Sequence, residues 1–87
     1  MPGNWVRDGI ITAIAENTPP ITAHDISNEI PGWDARRISL YIKYNMQHKY
    51  VKVEKTSTHR DGFGPWINLY TLTPIGLDYY RRKLENG

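Results

Sequence analysis

The chain has no cysteine and no long apolar run, and its single phenylalanine is Phe63. Without cysteine there is neither a disulfide framework nor a thiolate zinc site. No apolar stretch approaches the roughly 18 residues of a membrane span, and the N-terminus lacks a signal-peptide core. A cytoplasmic or nucleoid-associated protein that meets no membrane is expected. Catalytic signatures are missing as well. His24, His48 and His59 fall in three different elements, and no His/Asp/Glu cluster has metal-ligand spacing. No Gly-rich phosphate loop follows a strand, and no paired carboxylates sit in an apolar setting. Neither enzyme activity, nor a cofactor or metal, nor a small-molecule effector is expected.

Repeats, low-complexity tracts and linkers are also absent. The 87 residues are therefore expected to form one domain, residues 1–87. A chain this short buries only about 60% of its unfolded surface, so its core must be compact. Net charge is +2, and its distribution is uneven. Residues 1–34 carry one base, Arg7, against five acids, for −4. Residues 35–60 carry seven bases against Glu54, for +6, and residues 61–87 balance at three each. Such a block marks a binding surface only if folding gathers it onto one side.

The periodicity of Val6, Ile10, Ala13 and Ile14 predicts a helix over residues 4–16, with Asn4 as its N-cap and "NTPP" as its stop. Three later helix starts share one device. Thr22 with Asp25, Asp34, and Thr73 with Pro74 are expected to cap helices over 22–30, 34–48 and 73–84. Ile21, Trp33 and Leu72 can staple onto Ile26, Ile38 and Leu77. The second and third of these helices are separated only by "PGW", the spacing of a helix-turn-helix. "YVKVEK" and "WINLYTL" alternate as strands within residues 50–72, and Ile21 can add a single-residue third strand. Between them lies "STHRDGFGPW", far longer than a two-residue turn.

This order of elements over residues 4–84 resembles the winged helix-turn-helix superfamily, an α+β fold. "YTLTPIGLDYY" is similar to the strand-to-helix ending of small prokaryotic, archaeal or viral transcriptional repressors of the multiple-antibiotic-resistance and phenolic-acid-repressor kinds. "MQHKYVKVEK" is similar to their helix-to-wing passage, with Lys49 where they commonly have glycine. The resemblance implies double-stranded DNA as the partner, residues 34–48 as recognition helix and the long loop as a wing.

The residues of the third helix fit that role. Arg36, Leu40, Lys43 and Gln47 form a stripe opposite Ile38, Ile42 and Met46, and no acid occurs between Asp34 and Glu54. The candidate DNA-contacting set is Ala35, Arg36, Arg37, Ser39, Leu40, Lys43, Tyr44, Gln47, Lys55, His59 and Arg60. Arg36 suits a guanine edge, Ser39 can serve as donor or acceptor, and Arg60 suits backbone or minor groove. Arg37 either touches phosphate or pairs with an acid such as Glu29. Gly64-Pro65-Trp66 faintly resembles the wing of left-handed-DNA-binding domains, but Ser39 and Lys43 stand where those domains carry asparagine and tyrosine. Trp5, Ile11, Tyr79 and Tyr80 are candidates for a homodimer interface. Two other classes remain open: a protein-interaction module of a larger assembly, and a small RNA- or single-strand-binding domain using Tyr50, Trp66 and Tyr70 as a stacking platform.

Overall fold

The structure, a computed structural model, describes residues 4–17, 19–57 and 66–85. It is α+β, with α1 (Asn4–Glu16), α2 (Ala23–Ser27), α3 (Ala35–Asn45), β1 (Val51–Ser57), β2 (Trp66–Leu72) and α4 (Pro74–Tyr79). A π-helical turn, Tyr80–Glu85, continues α4. Helix α1 covers the expected span, Asn4–Glu16, and the cap expected of the Asn4 side chain lies outside what is described. At the other end the Asn17 amide donates to the Ala13 carbonyl at 2.8 Å. A 13-residue helix is marginal alone in water. Each buried isoleucine adds about 1.5–3 kcal/mol, so packing of Val6, Ile10, Ile11, Ala13 and Ile14 holds it.

All three later caps form. The Thr22 hydroxyl accepts from the Asp25 N–H while the Asp25 carboxylate accepts from the Thr22 N–H, a reciprocal capping box. Asp34 accepts from the Arg37 N–H at 2.8 Å, and Thr73 from the Gly76 N–H at 3.0 Å, with Pro74 in the first turn. The helix ends differ from expectation. Helix α2 stops at Ser27, because Glu29 and Ile30 bond the carbonyls three residues back instead of four, which tightens the chain. Gly32 then turns it at φ +84°, a region open to glycine, and α3 starts three residues later.

Helix α3 ends at Asn45, not at residue 48. The Met46 carbonyl accepts from the N–H groups of Lys49, Tyr50 and Val51, and His48 takes φ +73°. Histidine is among the few non-glycine residues that enter this region with some ease. Gln47 therefore lies beyond the helix, bridged to Val51, and is not the last rung of the α3 stripe.

Strands β1 and β2 pair antiparallel, Val51 opposite Leu72, Val53 opposite Tyr70 and Lys55 opposite Asn68. Ile21 adds the expected one-residue strand, exchanging two backbone bonds with Tyr70 at 3.2 and 2.7 Å. Val51 and Tyr70 are buried, joining Ile26, Ile30, Ile38, Ile42 and Met46 in one core with the α1 face. Helix α4 crosses this layer closely. A Cβ at Gly76 would stand 2.2 Å from the Tyr50 carbonyl oxygen, so only glycine permits the approach.

The C-terminal segment is clasped to α1 by charge and aromatic contact. Arg7 donates to the Tyr79 hydroxyl at 2.9 Å, and that hydroxyl donates to Asp8 at 2.8 Å. The Arg7 guanidinium lies 5.0 Å from the Tyr79 ring centre and 5.7 Å from that of Tyr50. Tyr80 donates to Glu16 at 3.0 Å. The expected dimer residues are thus partly consumed within one chain. Ile11 has no exposed area and belongs to the core, which corrects its assignment to an outer surface. Tyr79 and Tyr80 are half-buried and bonded to α1.

Burial and the hydrogen bond to Asp8 push the Tyr79 phenol above its ordinary value of 10.0, against the opposing pull of Arg7. A tyrosine raised in the folded state contributes its stability in full below the unfolded value and loses it as pH rises through the folded one. The parent is expected to lose stability more steeply above about pH 10 than Tyr79→Phe. Urea midpoints taken from about pH 8 to about pH 11 check this, and parallel curves would contradict it.

Candidate nucleic-acid interface

The third helix presents its sequence-predicted residues unequally. Asp34 fixes the first turn, and burial of Ile38 and Ile42 fixes the rotation about the axis. That rotation leaves Arg36, Leu40, Lys43 and Tyr44 outside; Leu40 is 45% and Tyr44 74% exposed, costly places for apolar area without a partner. Ala35 and Ser39 are half-buried at the edge of this strip. Among the described residues no carboxylate pairs with Arg36 or Lys43. The Lys43 ammonium lies 5.6 Å from the Tyr44 ring centre, so the two side chains form one outward unit.

Among the described residues Arg37 does not form the ion pair with Glu29. Its guanidinium stacks 4.2 Å over the Trp33 ring and donates to the Gly32 carbonyl at 3.4 Å. Glu29 instead accepts from Asn17 at 3.3 Å. Trp33 in turn meets Tyr41 edge-on, with ring centres 5.7 Å apart. A planar guanidinium held on an indole face is partly desolvated and its fork is pre-organised. Arg37 thus braces the turn before α3, leaving Arg36 as the free guanidinium of the α3 first turn.

Two depressions adjoin the strip. One, of about 420 Å³, lies between the start of α2 and β2 and is lined by Thr22, Ala23, His24 and Ile67. The other, of about 290 Å³, runs between α3 and the ribbon, past Leu40, Lys43 and Val53. Ser39, Asn68 and Tyr70 line both. Asn68 donates to the Tyr70 hydroxyl at 3.3 Å, and that hydroxyl donates to Ser39 at 3.4 Å. From the sequence Tyr70 is expected only in a stacking platform, and Asn68 carries no expected role. Their spacing of two puts them on one strand face, a visible signal; their meeting with Ser39 depends on register and docking, which the sequence does not spell out.

Lys55 is the register partner of Asn68. Lys52 falls on the opposite face by strand alternation and pairs with Glu54 at 3.5 Å, so it does not add to this strip. Gln47 lines the second depression from beyond the helix end and contacts the His48 ring at 3.4 Å. His59 and Arg60 lie outside the described residues. Three acids, Asp8, Glu16 and Glu29, line a separate groove of about 240 Å³ beside α1. Among the described residues no group of three or more His, Cys, Asp or Glu is placed to hold a metal ion, and no helix is long and apolar enough to cross a membrane.

Comparison with protein-family models, with curated proteins and with solved structures gives no match.

Proposed function

We propose that this chain is a winged helix-turn-helix domain that binds double-stranded DNA with sequence preference and serves as a transcriptional regulator. Helix α3 would enter the major groove, and the wing within residues 50–72 would meet backbone or minor groove. The observation that carries this reading is the α3 strip of Arg36, Leu40 and Lys43, free of carboxylate partners among the described residues, with the ribbon beside it. A helix about 10–12 Å across fits a major groove about 12 Å wide. Arg36, in the first turn, is placed as base-reading arginines of helix-turn-helix proteins are, and Lys43 suits a phosphate. Asp8, Glu16 and Glu29 line a groove that shares no residue with this strip, and Asp34 caps the start of α3.

A second reading is favoured by one observation. Trp33, Arg37, Leu40, Tyr41 and Tyr44 surround a shallow apolar depression of about 270 Å³ on the same helix. Aromatic and arginine side chains around exposed apolar area suit a protein partner. Duplex DNA added as competitor separates the two, since it displaces only a partner that shares the strip.

Dimerisation belongs to the same proposal. Trp5 is 51% exposed on α1 and Ile75 54% exposed on α4, apolar area that a two-fold contact would cover. The protein is expected to sediment as a dimer at micromolar concentration and to prefer near-palindromic sites with half-sites about 10 base pairs apart. A monomer in sedimentation, with and without DNA, would end this part of the reading.

The DNA-binding proposal is tested by titrating duplexes at two salt concentrations. Arg36→Ala is expected to cost about 1–3 kcal/mol at the preferred duplex and to relax preference at one base pair. Arg60→Ala is expected to weaken all duplexes alike and to lower the slope of log affinity against log salt by about one. Unchanged binding of specific and random duplexes by Arg36→Ala would contradict the role given to α3.

A further inference from the structure

Helix α3 carries one aliphatic side chain on the side turned from the core. Ile38 and Ile42 have no exposed area, and Leu40 lies two residues from each, about 200° around a helix of 3.6 residues per turn. It is 45% exposed and stands outside the core cluster. Its surroundings are cationic. Arg36 is one turn before it and Lys43 one turn after, both exposed and, among the described residues, without a carboxylate partner. Leu40 also separates two depressions. Lys43 and Val53 line the one toward the ribbon, Tyr41 and Tyr44 line the other, and among the described residues Leu40 alone lines both. It is therefore a ridge at the centre of the strip.

An apolar ridge between two unpaired cations sets the chemistry of what covers it. Arg36 and Lys43 call for an anionic partner, and at the middle of the contact that partner must offer an apolar group. The major-groove edge of duplex DNA has one such group, the 5-methyl of thymine, among edges otherwise made of hydrogen-bond donors and acceptors. We propose that Leu40 is a specificity-determining residue that covers a thymine methyl, so that the strip prefers thymine at the base pair it faces. The inference rests on the duplex-DNA reading above. Four residues advance a helix by about 6 Å, so this thymine falls within about two base steps of the base that Arg36 meets. Leucine has neither donor nor acceptor in its side chain, so the preference at this position comes from covering the methyl and from nothing else it does.

The test starts from the preferred duplex that the parent selects out of a randomised pool. Each thymine is replaced singly by deoxyuridine, which removes the 5-methyl and keeps every hydrogen-bonding group. Affinity is then measured for the parent, Leu40→Ala and Leu40→Met. The parent is expected to lose about fourfold at one thymine, the effect of uncovering a single methyl group. Leu40→Ala is expected to show no loss there, because alanine is too short to reach the methyl. Leu40→Met keeps an apolar side chain of similar length and should keep the loss. Position 40 is exposed and both replacements are strong helix formers, so α3 is retained in each variant. Removing a methyl also alters the shape and stacking of DNA, but such an effect persists whatever residue stands at position 40. A loss that persists unchanged in Leu40→Ala therefore overturns this inference and leaves the DNA-binding reading standing. So does a parent that tolerates deoxyuridine at every thymine, or a preferred duplex in which no thymine recurs. A parent that binds no duplex at all overturns both together.

Discussion

The antiparallel pairing of Tyr70 joins three parts of the molecule that sequence keeps far apart. Its backbone exchanges two hydrogen bonds with Ile21, and its strand neighbour is Val53. Its hydroxyl reaches Ser39 on α3. Through the first contact the segment before α2 is tied to the sheet, and through the second the ribbon is set against the helix. Shifting the pairing by one residue would turn Tyr70 and Val51 outward and bring Thr71 and Lys52 toward the core, so the register is strongly fixed. The Tyr70 hydroxyl and the Met46 turn are two points at which the ribbon meets α3. Gly76 supplies the matching constraint on the other side by letting α4 lie against the Tyr50 carbonyl.

Electrostatics then separates two surfaces. Acids of the first third close onto their own neighbours: Asp8 to Tyr79, Glu16 to Tyr80, Asp25 to the α2 cap, Asp34 to the α3 cap. Each carboxylate near a helix start or a phenol has a structural task. The bases of the middle third divide differently. Arg37 and Lys49 lie over aromatic rings, and Lys52 pairs with Glu54. Arg36 and Lys43 keep their charge outward. Among the described side chains the positive strip is therefore narrow, and its Lys43 lines one of the grooves that Ser39, Asn68 and Tyr70 share.

Much of this was legible in the residues. Thr22, Asp34 and Thr73 announced their helix starts because a cap is a local event, settled within four residues. The single-residue pairing of Ile21 was visible from its place beside a cap and a proline pair. Helix ends were less so. The stop of α3 at Asn45 depends on the Met46 carbonyl gathering three N–H groups, a competition between local bonds that apolar periodicity does not register. Arg37 was read as an ionic group, yet a tryptophan four residues earlier offered a better partner than a distant glutamate. Ile11 looked like a surface residue because it falls outside the narrow stripe of Val6, Ile10 and Ile14. A helix packed on two sides, by the sheet and by the C-terminal turn, buries a wider face than that stripe.

The central claim is that one face, made of α3 and the adjoining ribbon, meets duplex DNA. The most direct measurement is a titration of the isotope-labelled protein with a short random duplex, followed by amide chemical shifts. The account predicts shifts concentrated on Ala35–Lys43, on the start of α2 and on the β2 residues around Asn68, weakening as salt is raised. Amides of Asp8, Glu16 and Glu29 in the acidic groove should stay in place. Shifts centred on that groove, or none at any salt concentration, would contradict it.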